Sequence, residues 1–160
     1  MTDDANPASH DAPRVVSVTR EVAAPAAEVY ELVADPARQP EWDGNDNLRA
    51  SAEGQRVRAV GDVFLTELTS GALRENHVVE FEEGRLLAWR PAEVGSPQPG
   101  HLWRWQVEPV ADGTCRVTQT YDWSRLNDPQ RMERARSTTP ERLRASLDRL
   151  AALAESRHQG

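Results

Sequence analysis

The sequence predicts an α+β domain in which a curved antiparallel sheet of six or seven strands wraps a long C-terminal helix, with two short helices near the N-terminus. Three observations predict it. A β-branched run, Val15-Val16-Ser17-Val18-Thr19, gives way at Ala24-Pro25 to helical periodicity. The middle of the chain alternates short apolar segments with turn residues, of which Asp112-Gly113 is the strongest hairpin signal. The last third then returns to spacings of three, four and seven through Met132, Ala135, Leu143, Leu147 and Leu150. With 160 residues there is room for one domain and one core.

Residues 1–13 are Asp, Ala, Asn, Ser and Pro without a period, and read as a disordered leader before a single domain over 14–156. A strand follows from Val15 to Val22. In the first helix Val29, Leu32 and Val33 share a face, Glu28 complements the dipole in the opening turn, and Asp35-Pro36 ends it or starts another short turn. Pro36 to Trp42 reads as the second short helix. Beyond Asp43-Gly44-Asn45, a weak strand near Leu48 precedes strands at 63–68, 73–81, 86–90, 102–110 and 114–123, bounded by Thr69-Ser70-Gly71, Glu83-Gly84 and a longer Gly/Pro loop at 93–100. Thr138-Thr139-Pro140-Glu141 is a capped helix start, so the segment from Asp128 is either one helix kinked at Pro140 or two helices in line.

The charge balance, 19 basic against 26 acidic residues, gives −7 at pH 7, which repels nucleic-acid phosphates and anionic lipid surfaces. Neither partner is expected. All the basic residues are Arg, with no Lys and no Ile anywhere, so Schiff-base chemistry on a lysine is excluded. Cys115, the single cysteine, excludes an intramolecular disulfide and a thiolate zinc cluster. No apolar run is long enough to span a bilayer, and Met1-Thr2-Asp3-Asp4 lacks the positive flank of a secretion signal, so the expected location is cytoplasmic.

The stretch Val22-Ala23-Ala24-Pro25-Ala26-Ala27-Glu28-Val29-Tyr30-Glu31-Leu32-Val33-Ala34-Asp35-Pro36 with Pro40-Glu41-Trp42, then Val78-Val79-Glu80-Phe81, Leu86-Leu87-Ala88-Trp89 and Trp103-Arg104-Trp105-Gln106-Val107-Glu108-Pro109, resembles the SRPBCC superfamily, and within it the bacterial polyketide cyclase/dehydrase and lipid-transport branch. The resemblance runs over roughly residues 15 to 155 and implies a helix-grip fold. Such a fold leaves a cavity between the curved sheet and its long helix. It implies either a carrier or sensor for a hydrophobic or aromatic, polyketide- or lipid-like small molecule, or a cyclase/dehydrase that folds a reactive chain and loses water by acid/base catalysis. No cofactor is implied, and the assembly is a monomer or homodimer.

Strand alternation nominates the residues facing that cavity. In the strand at 73–81 the parity that holds Val79 and Phe81 also takes Glu75 and His77. Farther on, His101, Trp103, Trp105 and Val107 share a face, as do Val117, Gln119, Tyr121 and Trp123; a bulge would reverse these assignments beyond it. His77 is the candidate acid/base, with Glu75 or Tyr121 orienting it or sharing protons; the plainer reading has Glu75 and His77 solvating an exposed strand end. Trp42, Trp89, Trp103, Trp105, His101, Gln119, Phe64 and Phe81 are the candidate ligand contacts, the tryptophans serving equally well as core. Arg90 and Arg104 offer a carboxylate clamp or surface solvation. Metal binding would draw on His77, His101 and Glu75, and none is expected.

Overall fold

The computed structural model describes residues 14–43 and 48–159; the leader assigned to residues 1–13 lies outside them. Seven antiparallel strands form one sheet in the order β1-β7-β6-β5-β4-β3-β2. They are β1 (Val15–Val22), β2 (Leu48–Ala50), β3 (Val63–Leu68), β4 (Leu73–Glu82), β5 (Leu86–Glu93), β6 (Leu102–Ala111) and β7 (Thr114–Asp122). From β3 to β7 each strand pairs with the next in sequence, as the intervening turn residues require, and Asp112-Gly113 closes the β6–β7 hairpin. The N-terminal strand escapes this meander: β1 pairs with β7, Val18 opposite Gln119 and Val22 opposite Cys115.

Helix α1 (Ala26–Ala34) follows β1 and buries Val29, Tyr30, Leu32 and Val33 on one side. Its Tyr30 hydroxyl donates to the Leu86 carbonyl at 2.9 Å, and Arg56 forks onto Glu31 of the helix and Glu83 of the β4–β5 turn, so the helix is tied to the sheet at two levels. The predicted second helix forms as a 3-10 turn over Pro36–Glu41, started by the Asp35 carboxylate accepting from the Ala37 amide at 3.2 Å.

The alternative left open at Pro140 resolves into two helices. A 3-10 turn at Pro129–Arg131 leads into α2 (Met132–Arg136), the chain leaves helical geometry at 137–139, and α3 (Pro140–Gln159) begins with proline in its first turn. Proline has no amide to donate and restricts the residue before it, so the break falls where the sequence places it. Leu143, Leu147, Leu150, Ala151 and Ala154 of α3 are buried against Val18 and Val22 of β1 and Val117 of β7, the core this fold was expected to build.

Candidate functional site

A cavity of about 300 Å³ lies between the sheet and the helices, walled by Trp89 of β5, Trp103 and Trp105 of β6, Gln119 and Tyr121 of β7, Trp42 after the 3-10 turn, and His101. All seven were expected there. Cross-strand register explains the grouping. Trp89 sits opposite Trp103, Trp103 opposite Tyr121, and Trp105 opposite Gln119, so three neighbouring strands present their largest side chains at two adjacent levels of one face. Trp103 and Tyr121 stack at 4.4 Å with a 38° tilt, and His101 meets Tyr121 edge-on at 6.1 Å. Trp42 is 3% exposed; its indole N–H donates to the Leu32 carbonyl at 2.9 Å and its ring stands edge-on to Trp105 at 4.9 Å. It therefore lines the cavity and pins α1 to it.

Four expected residues lie elsewhere. Glu75 and His77 do not reach the cavity; they face the opposite side of the sheet, where His77 sits opposite Val63 and Arg90 and its Nε2 lies 3.6 Å from Glu75. The reason is a bulge in β4: register against β5 shifts between Val78 and Glu80, so the parity read back from Phe81 is reversed before it. The inward residues are Arg74, Asn76 and Val78, then Phe81 past the bulge. Phe64 and Phe81 are inward but walled off. Phe64 packs edge-on behind Trp89 at 5.4 Å, and Phe81 packs on Tyr30 at 6.4 Å under α1. Arg104 and Arg90 are also occupied: Arg104 forks onto Glu80 at 2.7 and 2.8 Å, and Arg90 donates to the Gly100 carbonyl at 2.6 Å.

The polar lining that sequence reading missed is chiefly arginine. Arg74 of β4, Arg131 and Arg134 beside or within α2, and Arg142 of α3 all border the cavity, with Asp43 the one carboxylate among the described lining residues. The spacing of Arg131 and Arg134 was visible in the sequence. Their aim was not, because it depends on where the chain breaks at 137–139. Asn76 is buried and donates to the Phe64 carbonyl and Thr66 hydroxyl, so it stiffens the wall. Gln119 Oε1 and His101 Nδ1 are buried with no hydrogen-bond partner among the described residues. Among those residues no cluster of three metal-ligating side chains forms.

Burial, with the positive charges of Arg131, Arg74, Arg90 and Arg134 added to it, pushes the His101 imidazole down to about 4. The Tyr121 phenol is pushed up to about 12, first by burial, against the opposing pull of Arg134, Arg131 and a hydrogen bond with Thr138. Both are neutral at pH 7. Because the unfolded chain takes up the His101 proton from about 6.5 downward while the folded one resists it to about 4, stability should fall as pH drops through that window, by up to about 3 kcal/mol. His101→Gln should flatten that slope in urea melts at pH 4.5 and 7; an equal slope in both proteins would show that His101 is not held neutral.

A family model described as "Polyketide cyclase / dehydrase and lipid transport" matches residues 13–155. Among curated proteins, the uncharacterized protein Rv0088 of Mycobacterium tuberculosis is 35% identical over 114 residues, covering 69% of this chain and 48% of that protein. The chain thus spans about half the length of that relative. Among solved structures, NE0264 from Nitrosomonas europaea superposes with a TM-score of 0.67 at 19% identity, over 94% of this chain and 99% of that one. DynU16, a putative protein of the dynemicin biosynthetic locus, superposes with a TM-score of 0.62 at 20% identity, over 91% of this chain and 49% of that one. At such identities these likenesses concern the fold alone.

Proposed function

The chain belongs to the polyketide cyclase/dehydrase and lipid-transport family, and from that premise we propose that it binds an aromatic small molecule in the cavity between sheet and helices, as a carrier or sensor. One observation supports binding above catalysis: the cavity gathers four tryptophans, while the His101 and Tyr121 that border it are both held neutral at pH 7. A base held down near 4 and an acid held up near 12 are poor proton carriers at pH 7, because neither changes state there. Flat indole faces instead supply a large contact area for a planar ligand, at about 25 cal/mol per Å² of apolar surface removed from water.

A cyclase/dehydrase reading retains one foothold, the His101–Tyr121 pair, whose ring centroids are 6.1 Å apart beside the cavity. Held neutral, these groups are suited to polarising a carbonyl by hydrogen bonding rather than to shuttling protons.

Tryptophan emission should report occupancy directly. Titration with N-phenyl-1-naphthylamine, a neutral three-ring probe, is expected to quench that emission saturably. Trp103→Leu, at a half-buried position, should weaken the probe about tenfold while moving the melting temperature little. A folded protein whose emission ignores the probe would overturn the binding reading. Tight binding with unaltered affinity in the Trp103 variant would place the ligand outside this cavity.

A further inference from the structure

The chain as a whole carries −7, yet the described residues that border its cavity include four arginines and one carboxylate. Like charges gathered at the border of a cavity repel one another, and an anion that enters among them relieves that repulsion. Existing carboxylates relieve only part of it. Arg131 donates to Asp128 at 3.1 Å and to Glu93 at 3.2 Å. Arg74 donates only to the carbonyl of its neighbour Leu73, and Arg134 and Arg142 have no carboxylate within 4.0 Å among the described residues. Three of the arginines gather at one end. Arg74, Arg131 and Arg134 all act on His101, and Arg134 and Arg131 act on Tyr121 as well. Burial first, and then the neighbouring Arg131 and Arg134 guanidiniums, hold the Arg74 side chain below its ordinary range, with Glu93 opposing them in part.

Deeper in the same cavity the requirement reverses. Gln119 lies two residues from Tyr121 along β7, about 7 Å farther in. Its Oε1 is a buried acceptor with no donor facing it, and Gln119 itself is 3% exposed. An orphaned acceptor of this kind is satisfied by a ligand hydroxyl. Between the two ends stand the indoles of Trp89 and Trp103.

We infer that the cavity's ligand is a hydroxylated aromatic carboxylate, its carboxylate held by Arg74, Arg134 and Arg142, its rings against Trp89 and Trp103, and its hydroxyl donating to Gln119 Oε1. The inference rests on the binding function proposed above and names the chemistry of the ligand. The planar guanidinium fork matches carboxylate and phosphate alike, but a carboxylate fits better here because a single negative charge costs less to bring among indole walls than two.

The probe is 6-hydroxy-2-naphthoate, compared by calorimetry with its methyl ester and with 2-naphthoate, which lacks the hydroxyl. The acid should bind at least tenfold more tightly than the ester, and that preference should shrink as sodium chloride is raised. Arg142→Gln, on α3 and exposed, and Arg134→Gln, also exposed, should each remove about a tenfold share of acid binding and leave the ester unchanged. Arg58→Gln, an exposed arginine away from the cavity, should change neither. Gln119→Leu should abolish the advantage of hydroxynaphthoate over naphthoate. Equal affinity for acid and ester would overturn the anionic end while leaving the binding function standing. Acid binding indifferent to Arg134 and Arg142 would overturn it likewise. If none of these three binds while N-phenyl-1-naphthylamine does, this inference falls and the binding function stands; if none of the four binds, both fall.

Discussion

Replacing Gly100 by alanine is expected to lower the melting temperature by roughly 10 °C, the largest effect expected from such a replacement at any of the described glycines. Gly100 has φ +119, a conformation that side chains rarely adopt, and an added Cβ would sit 2.1 Å from the Arg125 carbonyl oxygen and 2.7 Å from its carbon. Both are backbone atoms, so the clash is relieved only by pushing two chain segments apart. Those segments are sewn together around the glycine: the Asn127 amide donates to Pro99 at 3.0 Å, and Arg90 donates to Gly100 itself. Backbone strain and overpacking together cost about 4 kcal/mol, which at this chain length corresponds to the stated shift. Gly113→Ala supplies the control. Gly113 also has positive φ, 74°, but meets nothing within 4 Å, so only about 1–2 kcal/mol of conformational strain should appear. Similar melting temperatures for the two variants would mean that the 97–101 and 125–127 segments are not packed this closely. Since His101 adjoins the glycine, Gly100→Ala should also weaken ligand binding, which Gly113→Ala should not.

Trp105→Ala should cost about 3–5 kcal/mol, and the lost stability should be partly recoverable by a small aromatic molecule. Trp105 is 1% exposed and stands against Trp42, which in turn is hydrogen-bonded to Leu32 of α1, so its removal loosens the seat of a helix as well as deleting buried surface. The space left behind joins the existing cavity instead of forming a sealed void. Indole added to the variant should therefore raise its melting temperature by mass action, about 2.7 kcal/mol at a hundredfold excess over its dissociation constant, and should do far less for the parent protein. Leu147→Ala, fully buried but not bordering the cavity, should lose a similar stability and gain nothing from indole. Equal rescue of both variants would show that Trp105 is core without being cavity wall.

Several of these positions were legible in the linear sequence because their cause is local. Alternation along 101–107 and 117–123 places His101, Trp103, Trp105, Gln119 and Tyr121 on one face, and no irregularity falls inside those runs to undo it. The Asp112-Gly113 turn fixes which residues oppose one another, and Pro140 fixes where the last helix starts. Glu75 and His77 went astray for a reason the sequence does not carry. Nothing in Val78-Val79-Glu80 differs chemically from an ordinary strand, and the extra residue is accommodated only because β5 offers a partner pattern that skips it. One residue of slippage exchanged His77 for Asn76 and Glu75 for Arg74 at the cavity wall.

The sequence by itself determined the element order, the antiparallel meander and the aromatic face, since periodicity, turn chemistry and proline act over a few residues. Tertiary structure alone decided the electrostatic character of the site. Arg74, Arg134 and Arg142 come from a strand and two different helices, and each reads in isolation as a solvated surface charge. Charges interact through space rather than along the chain, so an acidic protein can hold a positive cavity once folding has brought three distant arginines to its border.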